Sequence, residues 1–188
     1  MGKVIITSIF LGIGLAMDAC AVSMANGLKE TNMKLRKTLF IALMFGLFQG
    51  IMPLIGYLVG SQILTKFEWI IPWAALGILG YLGGKMIYDG IKGEDEVDDK
   101  SLTIKVIFIQ AIATSIDALS VGFTISDYTL IEALVCVGCI AIMTFGICTA
   151  AVFIGKKFGT KLGNKAILVG GIILILIGLE IFISGMFF

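Results

Sequence analysis

Two carboxylates stand inside long apolar stretches. Asp18 sits in Gly14-Leu15-Ala16-Met17-Asp18-Ala19-Cys20-Ala21-Val22-Ser23, and Asp117 in Ala113-Thr114-Ser115-Ile116-Asp117-Ala118-Leu119-Ser120-Val121-Gly122. Aligned on their Asp-Ala pairs, the stretches share small residues, hydroxyls and a following Val. A carboxylate near the centre of a membrane helix costs at least about 2.5 kcal/mol, so its retention marks a functional candidate. Two in matching contexts describe one site assembled from two halves of a repeat.

The chemistry such a site offers is cation ligation by oxygen. Thr114 and Ser120 lie beside Asp117, and Gln49 and Thr149 occupy corresponding places in two other apolar stretches. Carboxylates, hydroxyls, an amide oxygen and freed backbone carbonyls suit Mg²⁺, Ca²⁺ or Mn²⁺, whereas zinc and copper recruit His or Cys thiolate. The chain has no His. Met17 and Cys20 flank Asp18, and a soft donor there would favour Mn²⁺, but neighbours at these offsets point away from its helix face. The charges inside apolar stretches are Asp18, Asp117 and Glu180 against Lys85, a balance that one divalent cation neutralises. Lys85 reads either as a tethered counter-ion for an empty site or as a side chain snorkelling to the interface.

These residues need elements to carry them. Hydrophobic residues make up 59% of the chain and charged ones 14%, against about 25% charged in soluble domains; the chain is an integral membrane protein. Six apolar spans of about 20 residues can each cross a bilayer as a helix, at 4–27, 38–60, 69–88, 104–125, 131–154 and 166–187. The first reads as a retained helix and not a signal peptide, since no small-residue cleavage site with a polar sequel follows. Trp69, Trp73, Tyr57, Tyr88 and Tyr128 fall near span ends, where aromatic residues concentrate. On the fourth span Gln110, Thr114, Asp117 and Thr124 recur at helical spacing with Ser120 beside them, predicting one polar stripe. On the first, Thr7, Gly14, Asp18, Ala21, Ala25 and Asn26 form a narrower face. Thr7, Thr124 and Gln110 are explained by helix-to-helix hydrogen bonding alone; the two Asp are not.

The loops set the orientation. Lys29, Lys34, Arg36 and Lys37, then Lys92, Lys100 and Lys105, then Lys156, Lys157, Lys161 and Lys165 all fall on one side. The other side holds Lys3 and Lys66. By the positive-inside rule the basic loops are cytoplasmic and both termini lie outside. The run Glu94-Asp95-Glu96-Val97-Asp98-Asp99 falls in the middle loop, as a solvated linker or a funnel concentrating cations. It divides a first three-helix half, 1–91, from a second, 103–188, through a linker at 92–102. Three spans per half make the halves inverted repeats within one domain. Phe45-Gly46 matches Phe145-Gly146, Ile55-Gly56 matches Ile154-Gly155, and Gly83-Gly84-Lys85-Met86-Ile87 matches Gly178-Leu179-Glu180-Ile181-Phe182. The expected fold is therefore all-α, with six transmembrane helices in two inverted three-helix repeats.

Met17-Asp18-Ala19 with Ala21-Val22-Ser23, Phe45-Gly46, Gln49 and Pro53-Leu54-Ile55-Gly56 resemble the MntP family of manganese efflux pumps. So do Leu82-Gly83-Gly84-Lys85-Met86-Ile87 and Ala111-Ile112-Ala113-Thr114-Ser115-Ile116-Asp117-Ala118. The resemblance spans nearly the whole chain. It implies a bacterial inner-membrane exporter with Mn²⁺ as cargo, no cofactor, and the Asp motifs of the first and fourth spans at its site. Glu180 departs from it, a basic or amide residue being expected there. Proton-for-metal exchange is the expected coupling, and no nucleic-acid partner is implied.

Other readings compete. A six-span thiol oxidoreductase would need cysteines at repeat-equivalent positions of the first and fourth spans, but Cys20 corresponds to Leu119 and the fourth span has none. Cys136 and Cys139 sit on neighbouring helical turns and read as small packing residues. A non-transporting scaffold leaves both Asp unexplained. A transporter of another divalent or organic cation remains open, and every surviving reading is of a transporter, not an enzyme.

Overall fold

In lipid each backbone N–H and C=O must find a partner within its own segment, so apolar runs of this length become helices. The computed structural model describes residues 2–59, 70–92, 102–162 and 165–187, and these are helical apart from short connections. The helices are α1 (Gly2–Lys29), α2 (Leu35–Val59), α3 (Ile70–Lys92), α4 (Ile104–Thr114), α5 (Ala118–Thr124), α6 (Leu130–Leu162) and α7 (Lys165–Phe187). Four of them, α1, α2, α6 and α7 as far as Ile183, are long and apolar enough to cross a membrane. The chain is a multi-pass membrane protein. Trp69, Lys66 and the acidic run at 94–99 lie outside the described residues.

Burial on α2 runs opposite to that of a soluble helix. Leu35, Leu39, Leu43, Leu47, Ile51 and Ile55 form an exposed aliphatic stripe at four-residue spacing. Its buried face carries Thr38, Ala42, Gly46, Gln49, Gly50, Pro53 and Gly56 among larger apolar residues. Lipid solvates the stripe as well as a protein core would, so association rests on close approach and polar contacts between small residues.

Glycine contacts fix how the helices run. Gly12 of α1 meets Ile140 and Met143 of α6, and Gly27 meets Val152 and Gly155, so α1 and α6 are parallel. Gly46 faces Phe145 while Gly50 faces Val137, so α2 runs antiparallel to α6. Gly83 meets Gly171 and Ile175 while Gly90 meets Leu168, which makes α3 and α7 antiparallel. At Gly155 a Cβ would run into the carbonyl of Met24, and at Gly56 into that of Leu119. Only glycine permits these two crossings.

Helix α6 begins with a capping box. The Thr129 hydroxyl and backbone N–H both donate to Glu132 Oε2, at 2.9 and 3.1 Å. This pairing satisfies donors that a helix start otherwise leaves open.

The fourth span departs from expectation. In place of one helix over 104–125, α4 ends at Thr114 and α5 starts at Ala118, with Ser115, Ile116 and Asp117 between. The predicted polar stripe is cut there: Gln110 and Thr114 are buried, whereas Asp117, Ser120 and Thr124 are exposed. The local residues explain the break. Thr, Ser and Asp offer the backbone hydrogen bonds that compete with helix continuation. Ser115 Oγ lies 2.7 Å from the Ala111 carbonyl, and the Ala118 N–H donates to Asp117 Oδ1 at 2.9 Å.

Candidate functional site

The register between α1 and α4 places the two carboxylates. Asn26 and Gln110 form a reciprocal amide pair, Nδ2 donating to Gln110 Oε1 at 2.8 Å and Nε2 to Asn26 Oδ1 at 3.2 Å. Both side chains are almost fully buried. Just past the end of α1, Glu30 Oε2 accepts the N–H of Leu102, just before α4, so α1 and α4 run antiparallel. From Asn26 back to Asp18 is about 12 Å along α1 at about 1.5 Å per residue, and from Gln110 the chain runs the same way to the end of α4 at Thr114, three residues before Asp117. Asp18 and Asp117 therefore both lie beyond the Asn26–Gln110 pair, on the side away from Glu30, and within electrostatic range of each other. Asp18 is half-buried and Asp117 opens from the break.

The break shapes what Asp117 can offer. One of its carboxylate oxygens is held by the Ala118 N–H, which fixes how the group faces out of the break. Unwinding between α4 and α5 also takes backbone carbonyls out of the regular helical ladder, those of Ile112, Ile116 and Asp117 accepting instead from the N–H groups of Ser115, Leu119 and Ser120 in short turns. Discontinuous helices of this kind put carbonyls and a helix start beside substrate in other transporters. The Thr114 hydroxyl turns back to the Gln110 carbonyl at 3.0 Å. The Ser120 side chain is exposed one turn beyond Asp117, on the same side of the break.

Gln49 is fully buried between these segments. Its Nε2 donates to the Leu15 carbonyl at 2.8 Å, and its Oε1 accepts from the Ser115 hydroxyl at 2.7 Å. Thr149, matched to Gln49 in sequence, is half-buried on α6 and donates to its own helix at the Phe145 carbonyl, 2.8 Å away. Only one of that pair bridges the Asp-bearing stretches.

The two charges in the third and last spans differ in position. Glu180 is exposed on α7 and lies within electrostatic range of Asp18. Lys85 is exposed on α3. The antiparallel register of α3 and α7 sets Gly83 level with Ile175, which separates Lys85 from Glu180 by about 10 Å along the axis at about 1.5 Å per residue.

At the end where the basic loops gather, polar contacts tie the segments together. Lys37 Nζ sits 2.6 Å from Glu30 Oε2, and Lys156 Nζ donates to the Met33 carbonyl at 2.6 Å. At the other end a recess of about 460 Å³ is lined by Thr7, Phe10, Leu11, Gly14 and Leu15 of α1 and Val121 of α5. The sequence reading missed Ser115 and Glu30. The Ser115 hydroxyl stood inside the quoted motif, and its place before the Asp carried the signal of a break.

Among the described residues no three His, Cys, Asp or Glu converge in the manner of a resident metal centre. The oxygen donors near the break are the Asp117 carboxylate and the Ser120 hydroxyl, with Asp18 within electrostatic range, and oxygen donors are the kind that hard divalent cations take. The four cysteines are free thiols, with Cys136 and Cys148 buried.

Comparison with known proteins gives a consistent result. The family model described as "Putative manganese efflux pump" matches residues 32–182. A protein of Ruminiclostridium cellulolyticum named "Putative manganese efflux pump MntP" is 45% identical over 182 residues, covering 96% of each chain. One of the same name from Gloeothece citriformis is 43% identical, covering 96% of this chain and 95% of its own. A third, from Methanosarcina mazei, is 38% identical over 94% of each. No solved structure matches the chain.

Proposed function

The chain belongs to the MntP family of manganese efflux pumps, and from that premise we propose that it exports Mn²⁺ through a site between Asp18 and Asp117. The observation that carries the proposal is the helix break. In support, Asp117 opens from the break on the same side of the Asn26–Gln110 pair as Asp18 and within electrostatic range of it. Two carboxylates neutralise one Mn²⁺, and oxygen donors suit its hardness. Ser120 and Thr114 supply hydroxyl oxygens at the break, and Glu180 adds negative potential next to Asp18.

The architecture proposed for this task is six spans in two inverted halves, 1–91 and 103–188, with 92–102 joining them. Its supports are the alternating helix directions and the equivalent roles of Gly56 and Gly155 against the opposite half. The basic residues of the α1–α2, α3–α4 and α6–α7 connections assign that end to the cytoplasm, both termini to the outside, and the protein to the bacterial inner membrane. In this orientation the Asn26–Gln110 pair and the Glu30 contacts close the cytoplasmic side of the carboxylates. Mn²⁺ capture then requires that pair to separate, and release proceeds toward the recess beside Thr7 and Gly14.

Metal content of cells expressing the chain or its Asp18→Asn form, read across Mn, Fe, Mg, Zn and Co, tests the proposal. The wild-type chain is expected to lower cellular Mn selectively, and the variant to restore it. Selective depletion of another metal would move the cargo to that cation. An unaltered effect of Asp18→Asn would remove the carboxylate from the pathway.

A further inference from the structure

The amide of Gln49 is held at both ends, by α1 and by the helix break, and this defines its role. The Leu15 carbonyl can only accept a hydrogen bond, so the NH₂ group of Gln49 must face it. That orientation turns Oε1 toward Ser115, whose hydroxyl lies 2.7 Å from it and 2.7 Å from the Ala111 carbonyl, so its one proton is shared between the two acceptors and ties Gln49 to the end of α4. One N–H and the oxygen of the amide are engaged, and the side chain is fully buried. Leu15 lies three residues before Asp18, on the adjoining turn of the same helix face. Ser115 lies two residues before Asp117, at the C-terminal end of α4.

We infer that Gln49 and Ser115 are positioning residues: together they strap the backbone of α1 to the helix break and so set the spacing of the Asp18–Asp117 pair. The inference rests on the proposed carboxylate site and deepens it, by removing Gln49 from the ligand set and adding Ser115 to the machinery. Helix α2 carries the strap and is itself clamped on both flanks. Gly50 packs on Ala141 and Val137 of α6, and Pro53 and Gly56 pack on Gly122 of α5. A shift of α5 or α6 is thereby transmitted to the carboxylate spacing through one buried amide. The same arrangement accounts for the asymmetry with Thr149, which bonds only within α6. One strap suffices, because it already touches both Asp-bearing segments.

The test is Mn²⁺ binding to the detergent-solubilised full chain, followed by loss of the free-Mn²⁺ electron paramagnetic resonance signal, with helical content checked by circular dichroism. Ser115→Ala and Gln49→Met are each expected to weaken binding about tenfold, the low end of the range for partners that orient metal ligands. The double variant is expected to be no weaker than either single one, because both break the same connection. Ser115→Thr, which keeps the hydroxyl, is expected to bind as the wild type does. Tighter binding by Gln49→Glu would overturn the inference, since an added carboxylate helps only if position 49 touches the metal. Unchanged affinity in Ser115→Ala would overturn it as well. Asp18→Asn and Asp117→Asn are measured alongside. Loss of binding in both, with no effect of Ser115→Ala or Gln49→Met, overturns the strap alone; full affinity in both overturns the carboxylate site and the strap with it.

Discussion

At the scale of single residues, burial separates polar groups that fix the structure from those that could meet a cation. Asn26 and Gln110 satisfy each other where no water reaches, whereas Asp117 opens from the helix break. Removing one member of a buried pair orphans the other, which costs about 1–3 kcal/mol, while replacing both by apolar groups can be nearly neutral. Gln110→Leu is therefore expected to lower the thermal midpoint in detergent more than Asn26→Leu with Gln110→Leu does. A double variant less stable than the single one would contradict the pairing. Asp18, Asp117 and Gln49 were legible in the sequence because a charge or amide in an apolar run has few structural explanations. Ser115 was not, because hydroxyls in membrane helices usually bond back to their own backbone, and nothing in the sequence shows that this one also reaches α2. Asn26 was picked out, but its partner was taken for helix glue. The two roles turn out to be one contact.

At the scale of elements, close approach decides which glycines matter. Gly27 and Gly155 meet across α1 and α6, and Gly56 and Gly122 meet across α2 and α5, where an added Cβ on Gly122 would stand 2.6 Å from Gly56 Cα. Gly138 has nothing within 4 Å of the same construction. Overpacking costs about 1–3 kcal/mol, so Gly155→Ala and Gly122→Ala are expected to lower the melting temperature by several degrees. Gly138→Ala should leave it unchanged or raise it slightly, since alanine is the better helix former. Equal effects at all three positions would refute the packing argument. The match of Ile55-Gly56 with Ile154-Gly155 was readable because these glycines face the same kind of neighbour. The match of Gly83 with Gly178 was not a guide to contact: Gly83 meets Gly171, with Ile87 and Ile175 placed reciprocally. Repeated Gly in a chain holding 24 of them fixes composition well and register poorly. The break between α4 and α5 escaped the sequence reading for a related reason. It contains no Pro or Gly, and its cause is the competition of Thr, Ser and Asp side chains for the backbone.

At the scale of the whole molecule, export needs the two ends of the site to open in turn. The proposed cytoplasmic end is held by Glu30 with Lys37 and the Leu102 N–H, by Lys156 on the Met33 carbonyl, and by the Asn26–Gln110 pair. The opposite end has the recess against α1 and α5. Reporter fusions are expected to place both termini outside; cytoplasmic termini would reverse the assignment of every gate. Release of Mn²⁺ then needs an agent that weakens its binding on the outer side. Metal ligands must be deprotonated, so protons and Mn²⁺ compete for the same carboxylates. In the proposed site, two carboxylates near one another in an apolar surrounding could not both stay charged cheaply once the metal left, and a proton from outside would relieve that cost. In such an exchange, inward movement of the proton on the emptied site would return the pump to a cytoplasm-open form, where the next Mn²⁺ would displace it. The sign follows: Mn²⁺ affinity should fall as pH falls, and Mn²⁺ leaving a compartment should acidify it. In reconstituted vesicles a pH indicator inside and a Mn²⁺-quenched dye measure both flows together. Transport unaffected by collapse of the pH gradient, with no counter-flow of protons, would exclude this coupling while leaving the carboxylate pair as the Mn²⁺ site.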